Sequence, residues 1–192
     1  MQKLYALLFS VLLLPAVATG EELDSSIGAY AGQYYDTEPA GVIKGNAGFQ
    51  AQYLVALTYS KTLWRARDWP LALEADGMIG QQFGVATLSE IALAPVLRWS
   101  GFPWNATLPT AFRFGPLGVS YTSEVSPLER GEGGQGSRTL NFLLIELAFS
   151  HPQARTHEVF VRLHHRCTIY DLLNNYGANG EDFLTFGYRR FF

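Results

Sequence analysis

The chain has 192 residues, with 14 Lys and Arg against 17 Asp and Glu and a net charge of −3. That balance carries no basic footprint and excludes a nucleic-acid-binding protein. Cys167 is the only cysteine, so an intrachain disulfide is ruled out. The His and Cys residues form no cluster with metal-ligand spacing, so no metal or other cofactor is expected.

The amino terminus reads as an address. Met1-Gln2-Lys3 carries one positive charge, Leu4–Leu14 is apolar, and Pro15-Ala16-Val17-Ala18 ends in a small-x-small pattern. A charged, an apolar and a small-residue region in that order predict a signal peptide over residues 1–20, leaving 21–192 as one domain. The apolar run is too short to cross a bilayer as a helix, and nothing after residue 20 reaches about 18 apolar residues. Yet charged residues are only 16% and aromatics reach 14%, with 19 glycines. A soluble domain usually carries about 25% charge. Strands with one face in an apolar medium would explain the departure.

The dominant period is two. Phe49, Ala51, Tyr53, Val55, Leu57 and Tyr59 fall on one face, while Gln50, Gln52, Leu54, Ala56, Thr58 and Ser60 fall on the other. Leu71, Leu73, Ala75, Gly77 and Ile79 repeat the pattern, as do Ile91, Leu93, Leu97 and Trp99, and finally Leu184, Phe186, Tyr188 and Phe192. Eight strands are predicted: 26–36, 47–62, 70–83, 86–100, 108–123, 138–150, 156–169 and 181–192. Most are longer than the usual 5 to 6 residues and suit a tilted crossing of a bilayer. Glu74, Asp76, Glu90 and Glu146 fall mid-strand opposite the apolar face, where Arg98, Arg113 or Arg162 could meet them inside a narrow barrel. The predicted fold class is therefore all-β, an eight-stranded antiparallel transmembrane β-barrel of the outer-membrane type. The expected location is the bacterial outer membrane, as a monomer or homodimer in contact with its lipids. Loops are expected at 36–46, 61–69, 100–105, 129–137 and 171–180, with a tight turn at His151-Pro152-Gln153.

The seventh strand carries the chemistry. Val159, Val161, Leu163, His165 and Cys167 share one side, and Phe160, Arg162, His164 and Arg166 share the other. The first set begins as a lipid-facing stripe, so an imidazole and a thiol at i and i+2 lie about 6.6 Å apart along the outer wall. The closing strand offers two acids. Asp182 has the parity of Leu184, Phe186 and Tyr188 and belongs on the side of His165 and Cys167; Glu181 then points inward. Asp182 is preferred on geometry, and Glu181 is the second choice.

His165-Arg166-Cys167 resembles the His-x-Ser of PagL-like lipid A 3-O-deacylases, an acyloxyacyl-hydrolase type of outer-membrane β-barrel. The signal peptide, the size, the eight strands and the aromatic carboxyl terminus are similar over the mature chain, and residues 158–192 more closely. A second set of barrels, with an Arg-x-His-His-Arg-Ser stretch, is nearer still. The resemblance implies an esterase that cuts an acyl ester of the lipid A of lipopolysaccharide. His165 would be the general base, Cys167 would stand where the family has Ser, and Glu181 has the family's type of acid. Arg166 and Thr168 would contact substrate. Thr168-Ile169-Tyr170 departs from the family's small, Asn- and Gly-containing stretch, which puts the oxyanion-hole donors in question. The rival readings are a non-catalytic barrel with a structural or lipid-binding role, and a soluble lipid carrier with its apolar residues turned inward.

Overall fold

The computed structural model describes residues 23–36, 44–45, 48–130, 136–168 and 180–192. The expected signal peptide, most of the expected loops 36–46 and 171–180, and half of 129–137 lie outside the described residues. The elements are β1 (Ser25–Tyr35), β2 (Phe49–Arg65), β3 (Leu71–Gly84), β4 (Leu88–Trp99), β5 (Thr110–Gly115), β6 (Val119–Thr122), β7 (Thr139–His151), β8 (Ala154–Cys167) and β9 (Glu181–Phe191). Each strand pairs antiparallel with its neighbour, and β9 pairs back onto β1, which closes the cylinder.

β5 and β6 share one position in that cylinder. Both lie between β4 and β7, so the nine segments make an eight-stranded barrel. The single strand expected over 108–123 is broken at Pro116-Leu117-Gly118. Proline has no N–H to give the ladder, and the register against both neighbours shifts by one residue across the break. The inward side chains accordingly change parity, from Arg113 in β5 to Ser120 and Thr122 in β6.

The alternation sorts the two faces. Leu54, Ala56, Thr58 and Ser60 of β2 are buried, while Val55, Leu57 and Tyr59 are exposed. Ile79, Leu93 and Phe186 are 60%, 61% and 62% exposed although each lies mid-strand, so the outer wall is an apolar belt. Aromatic rings flank it: Tyr53 stacks on Phe83 at 5.6 Å near one end, and Phe102 packs between Trp99 and Trp104 at 4.5 and 5.0 Å near the other. A closed wall with an apolar band between two aromatic girdles suits hydrocarbon. A soluble carrier with inward apolar residues has the opposite polarity.

The interior combines an apolar cluster, with Leu54, Met78, Phe142, Phe160 and Phe183 in it, and an ion network. Arg113 donates to Glu74, Asp76 and Glu146, and Arg162 to Asp76 and Glu146. Arg189 bridges Glu146 and Glu158, and Arg98 bridges Glu158 and Glu74. Arg113, Arg162 and Arg189 are at most 1% exposed. Gly187 leaves room for this packing. A Cβ there would stand 2.3 Å from the Phe160 ring, over which the Arg189 guanidinium lies at 4.3 Å.

The two ends differ. Short connections join β2 to β3 and β7 to β8, a longer one joins β4 to β5, and the start of β1 pairs with the end of β9 beside them. At the other end the β6–β7 segment folds into the barrel mouth. Ser126 donates to Glu181 at 2.9 Å, Leu128 packs on the core, and buried Glu129 pairs with Arg166. Burial pushes the Glu129 carboxyl up to about 8, against the pull of Arg166. The docked segment thus holds a proton that the undocked one releases above the ordinary value of 4.5. Its docking weakens as pH rises from that value toward 8 and then levels off. Trypsin cleavage after Arg130, normalised to an unfolded substrate, is expected to be faster at about pH 8.5 than at about pH 6. In Glu129→Gln that difference should vanish.

Candidate functional site on the outer wall

Gly180 leads the chain into β9 with φ +83, and its Cα side lies so close to Arg166 that a Cβ would stand 2.6 Å from that carbonyl oxygen. Only glycine takes both the conformation and the approach without strain. The entry sets the β9 register, which places Asp182 directly opposite His165 and Glu181 opposite Arg166. Side chains of directly opposed residues lie on one face of the sheet.

On the outer face, His165 Nδ1 and Asp182 Oδ1 are 2.6 Å apart. Their side chains are 17% and 13% exposed, covered but reachable. Cys167 follows two residues on along the same face, close enough to act on the imidazole electrostatically. With Nδ1 engaged by the carboxylate, the other ring nitrogen is left for the thiol. Two buried neighbours extend the group. The Tyr35 hydroxyl donates to Asp182 Oδ1 at 3.4 Å, and the Tyr35 ring meets Phe49 edge-on with centroids 6.4 Å apart. Asn141 Nδ2 donates to Cys167 Sγ at 3.6 Å. Tyr35, Asp182, His165, Cys167 and Asn141 thus line up across β1, β9, β8 and β7 on the outer face.

The other expected site residues stand elsewhere. Glu181 is fully buried inside, bonded to Gln82 and Ser126. Arg166 is also fully buried, bonded to Ser120, Glu129 and Thr122. Strand alternation turns it into the lumen, so the expectation that it contacts a lipid substrate is corrected. Thr168 follows the last residue of β8 and is half-buried; the stretch after it lies outside the described residues. His164 points inward to Glu90 at 3.0 Å and to the Tyr30 hydroxyl at 3.2 Å. No group of three or more His, Cys, Asp or Glu suited to a metal occurs among the described residues.

No family model matches the sequence. No curated protein matches it either. Among solved structures the chain is similar to the outer membrane enzyme PagL, with TM-score 0.58 and 18% identity over 86% of this chain and 98% of that one. It is also similar to the N-terminal β-barrel domain of Pseudomonas aeruginosa OprF, with TM-score 0.50 and 14% identity over 89% and 98%. The fold is that of a bacterial outer-membrane barrel.

In such barrels the short turns face the periplasm and the longer loops face outward. His165 and Cys167 lie near the end of β8 that meets the longer connections, away from the paired start of β1 and end of β9. This line of residues therefore sits at the outer rim of the apolar belt, beside the outer leaflet. Chemically, a carboxylate behind an imidazole fixes its tautomer and stabilises the imidazolium. A thiol beside that imidazole is a nucleophile with its base in place. Sequence parity had brought three of these residues together. Tyr35 and Asn141 went unnoticed because each looks like an ordinary strand residue and acts only through a neighbour on another strand.

Proposed function

We propose that this barrel is an esterase that hydrolyses an acyl ester of lipid A, working from its outer wall on substrate in the outer leaflet. One observation carries the reading: Asp182 and His165 pair at 2.6 Å on the membrane-facing side, with Cys167 two residues further along the same face of β8. Ion pairs belong in the lumen of such a barrel, and facing hydrocarbon they carry a cost without a function. The likeness in fold to an outer membrane enzyme and the His-x-Cys resemblance support the same reading.

The chemistry runs in two halves. His165 takes the Cys167 proton as sulfur attacks the ester carbonyl, and then gives that proton to the departing alkoxide of the sugar or hydroxyacyl group. The acyl chain is left on sulfur as a thioester. Water, deprotonated by His165, attacks the thioester carbonyl. The fatty acid leaves and the thiol is restored. Asp182 holds the ring and balances its positive charge in both halves, while Tyr35 steadies Asp182.

Lipid A from cells expressing the wild type and Cys167→Ala, compared by mass spectrometry, tests this. The wild type is expected to remove one acyl chain and the variant none. Identical acylation in the two strains would overturn the esterase and leave a barrel with a structural or lipid-binding role. Gain of deacylation in Cys167→Ser alone would mark a working frame whose present nucleophile is idle.

A further inference from the structure

Asn141 stands directly opposite Cys167 in the β7–β8 ladder and is 1% exposed. Its amide is fully used. Oδ1 accepts the Gly118 N–H at 3.1 Å, and Nδ2 donates to the Pro116 carbonyl at 3.1 Å and to Cys167 Sγ at 3.6 Å. An amide nitrogen has two hydrogens, so these two donations exhaust them. The residues that grip the amide are those of the break between β5 and β6. With the ladder interrupted, a carbonyl at 116 and an N–H at 118 are satisfied by this side chain. The approach is close: a Cβ on Gly118 would stand 2.7 Å from the Phe142 carbonyl oxygen and 2.8 Å from the Ala94 Cβ. The orientation of the second N–H, the one on sulfur, follows from the other two bonds.

We propose that Asn141 is a positioning residue for the Cys167 sulfur, and that the strand break holds one amide N–H against that atom. The inference rests on the reading of Cys167 as nucleophile. A hydrogen bond to a charged form favours that form, and such bonds are stronger than neutral ones. The donor therefore raises the share of reactive thiolate. It acts again in the second half of the reaction, where sulfur is the leaving group and departs as thiolate.

The rival is a structural clasp: Asn141 closes the strand break and its contact with sulfur has no consequence. Alkylation separates them. Cys167 is the only cysteine, so uptake of iodoacetamide by the purified full chain in detergent micelles reports that sulfur alone. Rates would be measured across pH for the wild type, Asn141→Asp, Asn141→Ala and His165→Ala, with the heat-modifiable gel shift of a folded barrel as the fold readout. Asn141→Asp keeps the volume and the acceptor for Gly118 but loses the donor. Both Asn141 variants are expected to react roughly tenfold more slowly than the wild type near neutral pH. They should converge with it in alkali, and both should stay folded. Folded variants with the wild-type profile would make Asn141 a clasp and overturn the proposal, leaving His165 and Cys167 as they were read. Loss of the folded band in both would do the same. A wild-type profile that matches a free thiol and is unmoved by His165→Ala would instead overturn the esterase reading itself.

Discussion

Replacing Asp182 by Asn is expected to lower fatty-acid release from lipopolysaccharide by roughly 10³–10⁴-fold while the barrel still folds. The carboxylate is 2.6 Å from His165 Nδ1. It fixes which ring nitrogen carries the proton and balances the imidazolium that forms when sulfur attacks. An amide of the same shape can turn its N–H to the ring, select the wrong tautomer and leave the base unable to act. Replacing His165 by Ala removes the base and should cost at least as much. Neither side chain joins the interior ion network, so heat modifiability and melting should change little. Glu181→Gln is the contrast: buried in the lumen on Gln82 and Ser126, it should affect the mouth of the barrel and spare the chemistry. Purified variants assayed for released fatty acid in micelles, beside their gel shift, check all three. Equal losses in Asp182→Asn and Glu181→Gln would remove the distinction between outer and inner acid.

Glu146→Leu is expected to have the largest effect on stability. Glu146 accepts from Arg113, Arg162 and Arg189, and all four side chains are at most 1% exposed. Removing one partner from a buried charge network leaves the others uncompensated, which costs about 3–5 kcal/mol. Here three guanidinium groups lose an acceptor at once, and Asp76 alone remains to Arg162 among the interior carboxylates. Urea unfolding of barrels refolded into lipid vesicles should show the drop, or the variant should fail to give a folded band. Stability within about 1 kcal/mol of the wild type would mean that the interior charges are hydrated and contribute little.

The barrel was legible because one physical rule governs most of the chain. Alternation separates lipid-facing from lumen-facing side chains, and it placed Asp76, Arg162 and His164 inside and Leu93, His165 and Phe186 outside. Even the choice between Asp182 and Glu181 reduces to parity. Parity fails where register shifts. Nothing in the alternation of 108–123 announces the one-residue slip, although Pro116 and Gly118 are the residue types that allow it. Arg166 is a different case. Its parity points inward, and the substrate contact that the resemblance implies for it is forbidden by its place in the lumen. Asn141 and Tyr35 escaped because their importance lies in cross-strand neighbours 26 and 147 residues away in the chain. A register has to be known before such pairs exist. Glu129 was hidden for the same reason: a loop acid that reads as solvated becomes buried once its segment folds into the barrel mouth.

The central claim is that sulfur on the outer wall carries the acyl chain during turnover. The most direct measurement is the intact mass of the protein after rapid mixing with lipopolysaccharide and an acid quench. The wild type is predicted to gain the mass of one fatty acid less water, on the peptide that holds Cys167, and to lose it on treatment with neutral hydroxylamine. Release of fatty acid with no such adduct, and undiminished in Cys167→Ala, would contradict the account.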